Sequence, residues 1–284
     1  EKPMKIAIAT DYKGSSGDPE DSLERIAKAG FTHLHWCHQW NTDHFYTDME
    51  IAKIARMLRN TGLKLLDIHG SDGGAGGLIC SWYAPDEVYR RQGVDLAMNR
   101  IRMLAMLRGE GTLMMHLPFL TADATESGRA AALRCVDALR RSLDEILPAS
   151  QALGFPIAME NFPGDTFEIL STLFDEYPAD ALGLCYDSGH GNIVHNGRAA
   201  RGLEHLERHL DRLQALHLHD NDGSGDQHQP PFYGNIDWKR LADDIRRSAY
   251  ARVVSFELSM ANTPFKDDPD GFLKDAFARC SKVV

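Results

Sequence analysis

The sequence predicts an α/β protein, a single (β/α)8 TIM barrel over residues 1–284. Short apolar runs alternate with longer amphipathic stretches along the chain, and eight such units can be counted. No Gly-x-Gly-x-x-Gly turn follows the first apolar run, which argues against an open dinucleotide-binding sheet. No linker or low-complexity tract divides the 284 residues, so one domain is the simplest interpretation.

The strand candidates share strand length and apolar composition: Lys5–Ala9, His33–His38, Lys64–His69, Thr112–His116, Ile157–Glu160, Leu182–Asp187, Ala215–His219 and Arg252–Glu257. The helix candidates have apolar residues at helical spacing or clear start and stop signals: Asp18–Gly30, Asp48–Asn60, Pro85–Leu107, Ser127–Leu147, Thr166–Glu176, Arg201–Leu213, Asp237–Ser248 and Asp270–Ser281. Two long glycine-rich connections, Gly70–Ala84 and Asp220–Asn235, follow strands, so both are expected on the active face. The first is interpreted as a mobile lid.

Composition and charge narrow the class of protein. The net charge of −10 repels phosphate backbones and argues against a nucleic-acid partner. The five cysteines are scattered without a Cys-x-x-Cys pair, which is typical of a reducing compartment. No apolar run approaches the roughly 20 residues that span a bilayer, and the first residues show no signal-peptide core. We therefore expect a cytoplasmic protein without a membrane partner. Homo-oligomers are common among soluble enzymes, but nothing in this sequence specifies one.

Four consecutive strand candidates end on side chains that can bind a metal. These residues are Glu160, Asp187, His217 or His219, and Glu257. The carboxyl ends of all strands meet on one face of a TIM barrel, so these side chains are expected to converge. Carboxylates and an imidazole form a hard-to-borderline site that suits Mn²⁺, Zn²⁺, Co²⁺ or Mg²⁺. A single carboxylate at a strand end is more often a helix cap or a surface charge, but four from consecutive strands are harder to explain in that way.

Further polar candidates lie on the same predicted face, where they would bind additional metal ions, bind substrate or hold the ligands in place. They are His69, His116, His190, His219, Asp226 and His228. Trp36 and Trp82 are candidates for an apolar wall under a sugar ring, with core packing as the alternative. Asp67 would point into the barrel with His69, and the sequence offers no role for it.

Motifs near these residues resemble the xylose-isomerase-like, or AP-endonuclease-type-2, TIM-barrel superfamily. The motifs are Met-Glu-Asn-Phe-Pro at Glu160, Tyr-Asp-Ser-Gly-His-Gly-Asn at Asp187, Leu-His-Leu-His-Asp-Asn-Asp-Gly at His217, Gly-Asp-Gln-His through Gly-Asn-Ile-Asp-Trp at 225–238, and Ser-Phe-Glu at Glu257. The superfamily includes sugar isomerases, ketose 3-epimerases, inosose dehydratases and endonuclease IV. The resemblance covers nearly the whole chain.

The resemblance implies that Glu160, Asp187, His217 and Glu257 are metal ligands. His217 is preferred to His219 because the His-x-x-Asp spacing to Asp220 then falls at the strand end. Two positions depart from the ketose 3-epimerase subgroup. Thr166 stands where that subgroup has a second glutamate, and Gly223 or Gly225 stands where it has an arginine.

The combined interpretation is a divalent-metal-dependent isomerase or epimerase for a sugar, polyol or related keto compound. Glu160 and Glu257 would act as acid and base around a metal-stabilised enediolate, and an inosose dehydratase-like lyase would share that step. One rival is an endonuclease IV-like zinc phosphodiester hydrolase. Five residues match its three-zinc pattern: His69, His116, His190, Asp226 and His228. A non-catalytic sugar-binding barrel is the second rival, although it gives no reason for two opposed carboxylates.

Overall fold

The structure is a computed structural model that describes residues 5–73, 81–118, 126–163, 166–194 and 200–284. Residues 74–80 lie outside the described ranges, so the predicted lid over Gly70–Ala84, with Gly74, Gly76 and Gly77, is described only at its two ends. In the part of the chain that is described, no helix combines the length and the apolar character needed to cross a bilayer.

Eight parallel strands form one sheet and confirm the predicted barrel. The strands are β1 Ile6–Ala9, β2 His33–Trp36, β3 Lys64–His69, β4 Leu113–His116, β5 Ile157–Glu160, β6 Leu182–Asp187, β7 Leu213–His217 and β8 Val254–Phe256. Their order is β7-β6-β5-β4-β3-β2-β1-β8. A parallel bridge between Leu218 and Phe256 joins the two outer strands, so the barrel is nearly closed. The carboxyl ends of all eight strands therefore lie at the same end of the barrel, which we call the mouth.

Helices connect the strands and cover the outside of the barrel. They are α1 Pro19–Ala29, α2 Asp48–Thr61, α3 Glu87–Met106, α4 Glu126–Ala152, α5 Thr166–Glu176, α6 Ser188–Asn192, α7 Gly202–Arg208, α8 Trp238–Arg247 and α9 Pro269–Cys280. Local signals set several of their ends. Asp18 caps α1 by accepting a hydrogen bond from the Glu20 N–H, and Gly30 ends it in a left-handed conformation with φ 107°.

The structure corrects two predicted boundaries around β7. The predicted helix Arg201–Leu213 ends at Arg208, and a 3-10 turn over Leu210–Arg212 follows it. Arg212 ties this turn to the end of α5 by donating a hydrogen bond of 2.8 Å to the carbonyl of Tyr177, the residue that follows that helix. Strand β7 therefore begins at Leu213 and ends at His217, whereas the prediction was Ala215–His219. His219 lies beyond the strand end.

Two kinds of core lie on the two sides of the sheet. The large apolar core fills the space between strands and helices. Inside the barrel, small or flexible side chains form a separate buried cluster: Met114, Ala158, Cys185 and Ala215. Each is two residues before a polar side chain on the same face of its strand, because side chains alternate along a strand. The polar side chains at the mouth therefore lie directly above this small apolar cluster.

Candidate metal centre

Strand register brings the ends of β4 to β7 to nearly one level. His116 pairs with Glu160, Glu160 pairs with Cys185, and Asp187 pairs with His217. An irregularity between Leu184 and Cys185 shifts the pairing of β6 with β7 and allows Asp187 to face His217. His217 therefore lies opposite Asp187, and Glu160 lies beside Cys185, the residue two positions before Asp187 on the same face of β6.

The structure brings together Glu160, Asp187, His217 and Glu257, which we call the central group. Their ligand atoms lie within 4.8 Å of one another, and all four residues are buried. His217 Nδ1 is 3.1 Å from Glu160 Oε1 and 3.1 Å from Glu257 Oε2. Three carboxylates and one imidazole nitrogen thus surround a common point, and this donor set fits a hard-to-borderline divalent cation.

Neighbouring backbone and amide groups fix the Asp187 side chain and main chain. Asn161 donates from Nδ2 to the Asp187 carbonyl at 3.0 Å, and its Oδ1 accepts from the Asp187 N–H at 2.8 Å. Asp187 also caps the short helix α6 by accepting a 2.7 Å hydrogen bond from the His190 N–H. The Asn161 that follows Glu160 therefore links β5 to β6. The Asp187 carboxylate is therefore held by the first turn of α6.

Electrostatics in the central group favour charged carboxylates. Burial alone would raise the pKa of the Glu160 carboxyl, but His217 and His116 outweigh it and hold that pKa well below its usual range. Burial likewise opposes the charge on Glu257, but His217 and His228 hold its pKa well below normal. Burial disfavours a charged His217, yet Cys185, Glu257 and Glu160 raise the pKa of its imidazole well above the usual value. The buried carboxylates depend on positive charge beside them, from protonated histidine or from a bound cation.

A second group lies on the β3–β4 side and consists of His69, His116 and Glu160. Its ligand atoms are also within 4.8 Å of one another, so Glu160 belongs to both groups. His116 Nε2 is 2.9 Å from Glu160 Oε2, and His116 Nδ1 is 2.5 Å from Asp72 Oδ2. Burial opposes protonation of His116, but Asp72 and Glu160 raise its pKa to about 10. Asp72 therefore fixes which His116 nitrogen faces the centre.

A third group lies beside Asp187 and consists of His219, Asp226 and His228. His219 stacks on His228 with ring centroids 4.0 Å apart, and its Nε2 is 3.0 Å from Asp187 Oδ1. His190 Nε2 approaches Asp226 Oδ2 at 3.4 Å. The structure thus separates the two histidines of strand seven. His217 belongs to the central group, and His219 connects that group to the third.

Gly189 explains how His219 reaches this position. A Cβ atom at residue 189 would lie 1.9 Å from His219 Cε1, so only glycine leaves room for the ring. The motif Tyr-Asp-Ser-Gly-His therefore has two roles. It supplies Asp187 and His190, and its glycine leaves room for the ring of His219.

Trp36 and Trp82 are enclosed by the protein and do not line the cavity described below. Both are fully buried in the apolar core; Trp36 donates to the Tyr46 hydroxyl and Trp82 to the His116 carbonyl. Neither ring offers a face to a substrate. Trp40 takes that position, with its ring centroid 4.6 Å from His69 and 5.5 Å from His116. Trp40 follows a predicted strand on the active face, and this placement is the sequence signal that could have identified it.

A cavity of about 590 Å³ opens next to the central group, and its lining includes Asp11, Trp40, His228 and Glu257. Burial and the nearby Glu257 carboxylate raise the pKa of Asp11 to about 6. The cavity gives a small molecule access to Glu257, whose side chain is 10% exposed, whereas Glu160 is almost completely enclosed at 1%.

Known proteins share this architecture. The profile of the xylose isomerase-like TIM-barrel family matches residues 23–276. The uncharacterised protein y4fM of Sinorhizobium fredii is 32% identical over 257 residues, which cover 84% of this chain and 80% of that protein. The crystal structure of a D-psicose 3-epimerase in the presence of D-fructose aligns with a TM-score of 0.72 and 16% identity over 99% of each chain.

The structure of IOLI protein with a bound zinc atom aligns with a TM-score of 0.68 and 16% identity, covering 99% of this chain and 98% of the other. At such low identity these structures show a common fold. The match of the family profile over most of the chain is more specific, and it agrees with the motifs at the strand ends. The protein belongs to the xylose isomerase-like TIM-barrel family.

Proposed function

We propose that this protein is a divalent-metal-dependent isomerase or epimerase that acts on a sugar, a polyol or a related keto compound. The convergence of Glu160, Asp187, His217 and Glu257 within 4.8 Å at the barrel mouth is the observation that supports it most directly. Proteins of similar fold include a D-psicose 3-epimerase and a protein with bound zinc. Mn²⁺ and Zn²⁺ suit this donor set best, and Co²⁺ and Mg²⁺ are also compatible with it.

The central group would hold the ion. When bound, a divalent ion supplies Lewis acidity to adjacent carbonyl and hydroxyl oxygens and stabilises the enediolate that forms when the neighbouring carbon loses a proton. The three carboxylates and His217 already lie within 4.8 Å of one another, which is close enough for one ion to contact all four.

Glu160 and Glu257 would move the proton. Both carboxyl pKa values are held well below normal, so both groups are available as bases at neutral pH. Glu257 borders the cavity and is the better placed to take the proton from a substrate carbon. Glu160 approaches from β5, next to His116 and His190, and would return the proton or hold the ligand set. The two histidines would stabilise charge that develops on substrate oxygen.

Trp40 would form one wall of the substrate site. Its ring is half-buried, lines the cavity and packs against His69 and His116. An indole face suits the C–H surface of a sugar or cyclitol. We therefore assign to Trp40 the role that the sequence suggested for Trp36 and Trp82.

Solvent exchange tests the proposed chemistry. The metal-loaded protein is incubated in D₂O with a panel of ketoses, aldoses and inososes, and deuterium incorporation next to the carbonyl is followed by NMR. We expect exchange with at least one compound, and we expect chelation to abolish it. Analysis of the product then separates isomerisation, epimerisation and dehydration. Absence of exchange across the panel, in protein that demonstrably contains metal, would overturn the proposal.

A zinc phosphodiester hydrolase is the second candidate. The groups flanking the centre, His69–His116–Glu160 and His219–Asp226–His228, favour it because they resemble further ligand sets beside the central one. The net charge of −10 disfavours it, since a DNA backbone would meet a broadly acidic surface. Zinc-loaded protein that cleaves abasic-site DNA and exchanges no sugar proton would favour this candidate over the isomerase.

A further inference from the structure

A fourth group of metal-capable side chains lies on the strand-two side of Glu257, away from the groups around Glu160 and Asp226. It consists of His35, Cys37 and Glu257, whose ligand atoms lie within 4.8 Å of one another. All three residues are buried, and His35 and Cys37 are completely enclosed. The functional role proposed above uses Glu257 but leaves His35 and Cys37 without a task.

His35 is oriented in the way that metal-binding histidines usually are. Its Nδ1 is 2.6 Å from Asp67 Oδ1, and both residues are buried. With Nδ1 engaged by a carboxylate, Nε2 is the nitrogen that has a free lone pair. Among the described residues, this buried Nε2 has no hydrogen-bond partner. Asp67, which the sequence left unexplained, thus fixes the tautomer of His35 and leaves Nε2 available to an ion.

Glu257 presents its two oxygens to different neighbours. Oε2 is 3.1 Å from His217 Nδ1 in the central group, whereas Oε1 accepts from the Cys37 thiol at 3.8 Å. The rings of His35 and His217 are also in edge contact, with centroids 4.4 Å apart. The two groups are therefore adjacent and share the Glu257 carboxylate.

We propose that His35, Cys37 and Glu257 form a separate site for a thiophilic divalent ion such as Zn²⁺ or Co²⁺, with Glu257 bridging it to the central group. On binding, the ion displaces the thiol proton of Cys37 to solvent, the sulfur coordinates as thiolate, and no redox change is required. The Asp11 carboxylate lies against the same thiol and would offer a further oxygen ligand. A mixed nitrogen, sulfur and oxygen donor set favours Zn²⁺ or Co²⁺ over Mg²⁺.

Cobalt spectroscopy tests this site independently of turnover. Metal-free protein is titrated with Co²⁺, because thiolate coordination gives a sulfur-to-cobalt charge-transfer band in the near ultraviolet that oxygen and nitrogen ligands do not give. Visible d–d bands arise from cobalt at either site, and elemental analysis of cobalt per chain shows whether one or both sites are filled. Cys185, buried beside His217, is the matched control cysteine. We expect the near-ultraviolet band in the parent and in Cys185→Ser, and its loss, with one fewer cobalt per chain, in Cys37→Ser.

Two further variants protect the test from a folding defect. His35→Gln keeps the thiol and should lose the band, whereas Asp67→Asn keeps all three ligands and should weaken cobalt binding about 10- to 100-fold. A parent protein with visible cobalt bands and no near-ultraviolet band would overturn the site and leave the proposed function intact. Survival of the band in Cys37→Ser would also overturn it. Absence of all cobalt bands would overturn both proposals.

Discussion

Carboxylates are partly exposed at the amino-terminal end of the barrel and buried at the mouth. At the amino-terminal end, His33 and Lys64 share Glu110, with separations of 3.3 and 2.7 Å, and Glu110 is 42% exposed. At the mouth, the carboxylates of Glu160, Asp187 and Glu257 converge where almost no water reaches. Partly exposed pairs such as the first contribute little to stability in either direction, whereas buried like charges are unfavourable unless a cation offsets them. The carboxylates at the mouth therefore require positive charge beside them, which protonated histidines or a bound cation can supply.

Removing one carboxylate from each end should give the largest difference between the two ends. Glu160→Gln keeps the shape of the side chain and removes its charge and basicity. We expect solvent exchange to slow by roughly 10²- to 10⁴-fold, in line with the loss of a positioned acid–base group. Because Glu160 offsets the positive charge of the buried His116 and His217, the thermal midpoint of the metal-free protein should fall as well.

Glu110→Gln is the matched control, since it makes the same substitution at the opposite end. It should leave the exchange rate close to that of the parent. An equal loss of activity in both variants would mean that the effect is structural, and a Glu160→Gln protein with parental exchange would remove Glu160 from the mechanism. NMR exchange rates and melting curves measured on the same preparations decide between these results.

The barrel and the central group were predictable from the sequence because both depend on local patterns. Strand-length apolar runs ending on Glu160, Asp187 and Glu257 identify the strands and their carboxyl ends, and closure of a TIM barrel brings those ends together. The prediction required no knowledge of pairing partners. The predicted start of β7 was wrong because it depends on the Arg212 contact with Tyr177, which is a tertiary interaction.

Features that depend on register were not predictable. The pairing of β2 with β3 shifts between Leu34 and His35, which places His35 opposite Asp67. Alternation along a single strand cannot reveal such a shift, because the irregularity arises between two strands. Trp36 and Trp40 show the same limit, since only the packed structure distinguishes the tryptophan in the core from the one at the cavity.

A smaller effect should come from the side chain that orients His116. Asp72 holds His116 Nδ1 at 2.5 Å, so that Nε2 faces Glu160. Asp72→Asn should preserve the contact in part but reduce its electrostatic strength, and supporting carboxylates of this kind typically change metal affinity by about 10- to 100-fold. We expect weaker metal binding in a competition titration, with substrate exchange restored at high metal concentration.

Asp43→Asn is the control for that experiment, because Asp43 is exposed in the β2–α2 loop, which contacts the loop that carries Asp72, and belongs to none of the four groups. Its metal affinity should match that of the parent. If Asp72→Asn binds metal as tightly as Asp43→Asn does, His116 contributes nothing to the ligand set and the second group is only structural.

The smallest expected effect is on the pH dependence of the free energy of unfolding, which should differ between the two ends of the barrel. Burial, which exceeds the opposing influence of Glu110, lowers the pKa of His33 at the amino-terminal end. A histidine whose pKa is lowered by folding favours the neutral form, so its contribution is fully present above about 6.5 and is lost as the pH falls through the lowered pKa. At the mouth, Asp72 and Glu160 overcome burial and raise the pKa of His116 to about 10. Its contribution is therefore fully present below about 6.5 and is lost as the pH rises through 10.

Urea unfolding of chelator-treated protein from pH 5 to pH 10.5 measures both contributions. His116→Gln should flatten the loss of stability on the alkaline side, and His33→Gln should flatten the loss on the acid side. If both variants reduce the loss of stability on the same side of the pH range, the pKa values of His33 and His116 are not shifted in opposite directions. Adding the metal should suppress the alkaline loss in the parent, because the ion then supplies the positive charge that protonated His116 supplies in its absence. In the metal-free protein, protonated His116 would then supply the positive charge that the carboxylates at the mouth require.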